Sequence, residues 1–375
     1  MAKLKLNKKK FIRNIIICVV AVIIVAFILN IAPGYRRDKY SDVINLVLNE
    51  RNITEDLKNS IYISEKGTIY LSEEDISNLF DPNIYYDKKY NQIITTSNTK
   101  VANIVINEKK ITVNDTTQSM LEPVIKINDE IYLPISDMNL VYNINVKYIE
   151  STNIVIIDDL NKGLIRADVA EDTKIKYKPR ALSKNVGEVK KGDVISCFYT
   201  TSKGWTEIRT EDGLVGYIKA NKITNHSYVR QDMEAKKDAS EISIKENSNG
   251  QITVDGQNYK FLNLSDIKID EIDENTKIWG NISTNGLNNP VDELLADFKT
   301  RTMVINQIVE LAIQKKINSL NIDFTGASDE NAIKRFTIEI APKLRDVGIT
   351  TSVELNDNIN KDDFYKIVDY IVVEK

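Results

Sequence analysis

Hydrophobic and polar positions alternate with different periods along this 375-residue chain, and each change of period marks a change of architecture. Residues 15–29 carry no charged side chain, and Asn30, Ile31 and Ala32 extend the run to 18. As a helix such a run reaches about 27 Å, close to a ~30 Å hydrocarbon core. It predicts a transmembrane anchor over residues 15–32 behind a cytoplasmic tail of residues 1–14. Residues 60–158 read as short strands around single helical turns, separated by Asp, Asn and Lys. Residues 164–224 alternate with period two under Gly punctuation, the pattern of a small β-barrel. Residues 221–250 are polar and read as a linker. From Thr276 strands are expected at 277–282, 320–324, 350–355 and 370–373. A helix should open at Asn289-Pro290. Ile305, Ile308, Val309 and Ala312 share one helical face, and Phe336, Ile340, Leu344 and Val347 share another. Alternating β and α elements imply a parallel sheet. The expected fold class is multidomain: an N-terminal transmembrane helix, an α+β repeat domain, a small β-barrel, and an incomplete α/β domain over residues 251–375.

Charge sharpens the first element. Lys3, Lys5, Lys8, Lys9, Lys10 and Arg13 precede the apolar run, and no acid occurs in the first 37 residues. Positive flanks stay cytoplasmic, so a single-pass protein of the cell membrane with its bulk outside is expected. A cleaved signal peptide would have a shorter apolar region and a small-x-small site, which residues 30–33 do not offer. Without those six positives the remainder holds 44 basic against 54 acidic residues, a net charge of −10. That balance argues against nucleic acid as a partner, because counterion release needs clustered cations.

Candidate chemistry is sparse. His226 is the sole histidine and sits in a polar stretch, which removes most imidazole-based catalysis and histidine-rich zinc sites. Cys18 and Cys197 give no disulfide framework, and Cys197 reads as a small buried hydrophobe. No metal and no cofactor are expected.

Residues 60–158 repeat with an offset of 62: Ile69-Tyr70-Leu71 returns as Ile131-Tyr132-Leu133, Asp75 as Asp137, Tyr86 as Tyr148, and Ile93-Ile94 as Val155-Ile156. One supersecondary unit used twice implies two halves sharing a core. The run from "IYLP" to "VKY…IVIID" resembles the copper amine oxidase N-terminal-like domain, which is common on cell-surface proteins of Gram-positive bacteria. The resemblance implies a spacer or wall-contact module. Copper is not implied, since the segment has neither His nor Cys.

Residues 164–224 resemble a bacterial SH3-like domain through Lys191-Gly192-Asp193, Gly204-Trp205-Thr206-Glu207-Ile208 and Asp212-Gly213 leading to Gly216-Tyr217-Ile218. Asp212-Gly213 between alternating runs predicts a tight hairpin turn. The resemblance implies contact with peptidoglycan peptides, with Trp205 and Tyr217 as groove aromatics; packing in the barrel core is the other reading of Trp205.

The stretch "IWGNISTNGLNNPVDELLADFKTRTMVINQIVELAIQKKINSLNIDFTG", with "IKRFTIEIAPKLRDVGITTSVEL" and "DYIVVEK", resembles the glycoside hydrolase family 18 barrel, most closely its spore-germination and cell-wall branch. The likeness covers residues 276–375 and implies a TIM-barrel-like sheet. That family's signature D-G-x-x-x-D-x-E reads here as Asn318-Ser319-Leu320-Asn321-Ile322-Asp323-Phe324-Thr325. Asp323 survives, the opening Asp-Gly is Asn318-Ser319, and the acid position is Thr325. An alcohol gives up no proton near neutral pH, whereas general acid catalysis is worth ~10²–10⁴ in rate. No catalytic residue is therefore expected in the degenerate motif Asn318, Asn321, Asp323 and Thr325. Glu330 and Glu354 are the nearest other carboxylates by sequence.

A closed barrel needs at least ~200 residues, and only 150 follow Asn225. The open edge is covered by residues 240–270, by a partner chain, or by nothing in a marginally stable domain. Trp279, by stacking, and Asp323 are the candidate contacts to glycan; core packing and strand-end bonding are their structural alternatives. Three functions remain open from sequence. One is a membrane-anchored, wall-associated, non-catalytic protein binding peptidoglycan or another N-acetylglucosamine glycan. The second is an active glycosidase on such glycans. The third is a structural envelope or sporulation component without glycan affinity.

Overall fold

The computed structural model describes residues 16–25, 44–233, 236–268, 270, 272–273, 275–286 and 291–374, which are mostly β-strand. They divide into two compact units, Met1–Leu57 with Ile144–Glu234, and Lys58–Asn143 with Ala235–Lys375.

The expected transmembrane helix is overturned. Residues 16–25 of the apolar run are helical. No helix of the described residues is long and apolar enough to cross a membrane. The basic flank, the remainder of residues 15–32 and the expected helix start at Asn289-Pro290 lie outside the described residues. The single-pass membrane localisation loses its support with the span.

The described residues of the first unit form two sheets. Asn45–Leu48 runs parallel to Ile154–Asp159, flanked by Arg51–Asn52 and Ile144–Ile149. A seven-stranded antiparallel sheet follows from Leu164–Val169 to Ile223–Arg230. It encloses Ala167, Ile175, Ile195, Cys197, Ile208 and Ile218. Burial pushes the Cys197 thiol up to about 11, so it is inert core. The turn at Asp212-Gly213 is present: Gly213 has φ 86°, and a Cβ there would meet Ile154 Cγ2 at 2.7 Å. The expected linker is partly strand, since residues 223–230 pair along 164–169.

The repeat is visible in hydrogen bonds. Leu71 and Leu133, equivalent by the offset of 62, stand opposite each other where Ile69–Ser72 pairs antiparallel with Glu130–Pro134. A local twofold therefore passes between them. Buried Asp75 accepts the N–H groups of Lys58 and Asn59 at 2.7 and 3.2 Å. Buried Asp137 accepts those of Leu121 and Glu122 at 3.1 and 3.3 Å. Tyr86 donates to Asn91, and Tyr148 to Asn153, both at 2.7 Å. Asn91 and Asn153 both take positive φ, 49° and 55°, which Asn tolerates at a tight turn.

The second unit is organised on one mixed sheet. Its strands are β1 Ser240–Ser243, β2 Gln251–Val254, β3 Gln257–Asn263, β4 Ile278–Ser283, β5 Ser319–Asp323, β6 Thr350–Glu354 and β7 Tyr370–Glu374. They lie in the order β1-β7-β6-β5-β4-β3-β2, all neighbours parallel except the β2–β3 hairpin. Residues 240–263 thus flank both sides of the four expected strands, and β1 and β2 are the outermost strands. The outer edges of the four expected strands are therefore paired from within the chain, while β1 and β2 are the new sheet edges. Helices α1 Val291–Ala296, α2 Phe298–Gln314 and α3 Glu330–Asp346 pack on the face carrying Ile278, Leu320, Ile322 and Val353. The single helix expected after 290 is two, because Asp297 caps α2 by accepting the Thr300 N–H at 3.1 Å. Val347 follows α3 and is 42% exposed rather than core.

The five-stranded sheet spanning Tyr85–Asp87 to Thr116–Ser119 is bound to these helices. Tyr85 donates to Glu339 of α3, and the Arg301 guanidinium of α2 donates to both. Lys343 of α3 pairs with Asp115 at 2.7 Å.

Candidate functional site

The chemistry gathers at the carboxyl ends of β4, β5 and β6, where parallel sheets commonly place ligands. Strand alternation puts Trp279, Asn281 and Ser283 on the sheet face opposite the helices, with Ser319, Asn321 and Asp323 beside them. A polar row crosses that face. Asn281 donates to Asn263 at 3.1 Å, Asn321 to Asn281 at 2.9 Å, and Ser352 to Asn321 at 2.7 Å. Trp279 Nε1 closes it by donating to Ser352 Oγ at 3.2 Å. Each side chain in the row is hydrogen-bonded, which is how a buried face tolerates amides.

Trp279 is 0% exposed and wedged between Tyr259 and Tyr370. It has no free face for a sugar, so the stacking role expected for it is replaced by core packing. Asn318 Oδ1 accepts the Ile278 N–H at 2.9 Å, pinning the amino end of β4. It lies at the opposite end of β5 from Asp323, and Asn321 is spent within the row.

Asp323 is the hub of the carboxyl end, and it is 4% exposed. Its Oδ2 accepts from Ser283 Oγ at 2.8 Å and Asn285 Nδ2 at 3.3 Å. Its Oδ1 accepts the Thr325 N–H at 2.9 Å and the Thr325 hydroxyl. Asn285 also donates to Thr325 Oγ1. A hydroxyl has one proton, and that of Thr325 is directed at Asp323. Gly326 permits this closeness, because a Cβ there would sit 2.8 Å from the Thr284 backbone. The following loop is held by Asp292, which accepts from Ser328 and Asp329 N–H groups, each at 2.9 Å. Burial pushes the Asp292 carboxyl up, but those donors outweigh it and hold it below the usual range. Glu354 stands directly beside Asp323 in register; Glu330 opens α3. Ser283 and Asn285 escaped the sequence reading, although a Ser-Thr-Asn-Gly run closing a predicted strand is a signal for a polar loop.

In the first unit Trp205 is 7% exposed and lies outside the main core cluster, with Lys219 Nζ 4.5 Å from its ring centroid. Tyr217 donates to Glu207 at 2.9 Å, opposite it in register. Burial, then that carboxylate, push the Tyr217 hydroxyl up to about 12. Trp205 and Tyr217 therefore share one face as diagonal neighbours. His226 is exposed on its strand. Among the described residues no group of three or more His, Cys, Asp or Glu side chains is placed to hold a metal.

Residues 47–157 match the family model of the copper amine oxidase N-terminal domain. The match includes Val47 and Leu48 of the strand that pairs with Ile154–Asp159, ahead of the expected start at residue 60. No curated protein matches the chain. Among solved structures, the spore cortex-lytic enzyme SleL of Bacillus cereus is 21% identical over 26% of this chain and 26% of its own, with a TM-score of 0.24. NlpC1 of Trichomonas vaginalis is 11% identical over 45% of this chain and 49% of its own, with a TM-score of 0.16. The chain thus spans about a quarter and a half of those proteins, and both likenesses are too loose to carry an argument.

Proposed function

We propose that this chain is a wall-associated protein that holds an N-acetylglucosamine-containing glycan at the carboxyl end of the β4–β6 sheet and does not cleave it. The observation that carries the reading is the commitment of the Thr325 proton to Asp323. Where the family 18 pattern has a carboxylic acid, this site has an alcohol whose hydrogen bond points inward. Ser283 and Asn285 are exposed and Thr325 half-buried; they offer the contact groups, while Asp323 orients them. The wall setting rests on the copper amine oxidase N-terminal domain match together with the SH3-like resemblance of residues 164–224.

Retention on purified peptidoglycan, paired with a reducing-end assay, tests this. The chain should sediment with the glycan, Asp323→Ala should weaken retention about tenfold or more through lost charge-assisted bonds, and no reducing ends should appear. The position of Glu354 beside Asp323 favours a second reading, an active glycosidase. Reducing ends lost on Glu354→Gln would establish that reading and overturn the first. Absence of retention would leave the chain a structural component.

A further inference from the structure

A second cavity in the same unit has a different lining. A cavity of about 180 Å³ lies between residues 80–98 and the end of α3, whereas one water needs only ~10–15 Å³. Ile338, Pro342 and Ile367 are its buried apolar lining, with Phe80 half-buried beside them as its floor, and Asn83, Ser97 and Asn98 are more exposed polar lining. Its charged lining is Lys236, Arg345 and Lys366 with Asp81.

The charges do not balance. Asp81 is saturated from its own side, by Thr95 Oγ1 at 2.8 Å, the Thr96 N–H at 2.5 Å and the Asn83 N–H at 2.9 Å. Burial pushes its carboxyl above the usual range, which reduces its value as a counter-ion. Asp369 is taken by Arg345 Nε at 2.8 Å and the Thr351 N–H at 2.8 Å. Arg345 Nη1 and Nη2 also donate to the carbonyls of Asn98 and Ile367. Lys236 Nζ donates to the Lys366 carbonyl at 2.8 Å and forms no ion pair among the described residues. Burial, then the nearby Arg345 charge, lower the Lys236 ammonium to about 8, while Asp369 and Asp238 pull the other way. A half-buried cation with no carboxylate partner among the described residues, beside a small apolar floor and a rim of amides, is complementary to one kind of group.

We propose that this cavity receives the terminal carboxylate of a peptide ending in a small aliphatic residue, the carboxylate on Lys236, the side chain against Ile338 and Pro342, and the preceding amide at Asn83 and Asn98. A monoanion matches the ammonium of Lys236, the more buried of the two lining lysines, and the apolar floor gives the carboxylate's own residue a place that an inorganic ion would leave empty.

Calorimetric titration of the full chain with N-acetyl-Ala-Ala, its C-terminal amide, acetate and inorganic phosphate tests the proposal. The free acid should bind at least tenfold more tightly than the amide, acetate or phosphate. Lys236→Gln should reduce that affinity tenfold or more, and Lys236→Arg should keep most of it, with circular dichroism confirming that both variants fold. Equal affinity for acid and amide, phosphate binding as tight as the peptide, no heat from the free acid, or a Gln variant that binds like the parent would each overturn it. The glycan site is separate, so retention on glycan strands stripped of peptide should be unchanged by Lys236→Gln, and the two readings fail independently.

Discussion

Replacing Arg301 with methionine removes the charge at the centre of the second unit. The Arg301 side chain is 0% exposed and Glu339 4%. Nε and Nη2 reach Glu339 Oε1 at 3.0 and 2.7 Å, Nη2 also reaches Tyr85 Oη at 2.9 Å, and Nη1 bonds the Leu295 and Ala296 carbonyls at 2.8 and 3.0 Å. Methionine keeps much of the volume but leaves Glu339 buried without a counter-charge, which costs ~3–5 kcal/mol. Two carbonyls at the end of α1 also lose their donor, adding about 1 kcal/mol or more if water does not replace it. The ion pair itself is not worth this much, because a well-packed apolar pair in its place is often neutral. Arg301→Met with Glu339→Met should therefore recover most of the loss. Urea unfolding followed by Trp279 emission in a Trp205→Phe background reports this unit alone. With a slope of ~1–3 kcal/mol per molar in urea, the midpoint of the single variant should fall by at least ~1 M. A fall below ~0.5 M, or a double variant no better than the single, would refute the argument.

Lys236 should make stability depend on pH. Its folded pKa of about 8 lies below the ordinary 10.5, so the unfolded chain binds more protons between those values and stability rises with pH across that window. The ceiling is roughly 3 kcal/mol, and about half that after solvent screening; urea midpoints at pH 8 and 9.5, flat in Lys236→Gln, check it before tyrosines titrate. Asp75→Ala and Asp137→Ala should each destabilise the second unit by about 2–3 kcal/mol, since each strands two backbone N–H groups; a cost confined to one of them would break the equivalence of the repeats. Gly326→Ala should cost about 1–3 kcal/mol through its clash with the Thr284 backbone and should weaken glycan retention. Equal thermal midpoints for parent and variant would contradict that packing.

Periodicity and repetition made much of this chain legible before its structure. The offset of 62 correctly paired Asp75 with Asp137 and Tyr86 with Tyr148, because each copy makes its hydrogen bonds within a short span of sequence. The central strands β4 to β7 were readable for the same reason: their apolar alternation and the helical stripes between them are local. The Asp323–Thr325 spacing was likewise readable, since the two residues touch across a single intervening position. An apolar run, by contrast, is only permissive of a membrane span, and no helix of the described residues is long and apolar enough to be one.

What tertiary structure decided is what joins distant residues. Ser240–Ser243 pairs with Tyr370–Glu374 across some 130 positions, and nothing local in a polar stretch announces that partner. The pairing of β4, β5 and β6 likewise settles which face Trp279 shares, turning an apparent sugar platform into the cap of a row of buried amides. Tertiary packing also brings Lys236 to Arg345 and Asp81, three residues without a motif between them. Side-chain period is encoded by neighbours along the chain, while strand order and unbalanced charge arise only when remote segments exclude water together.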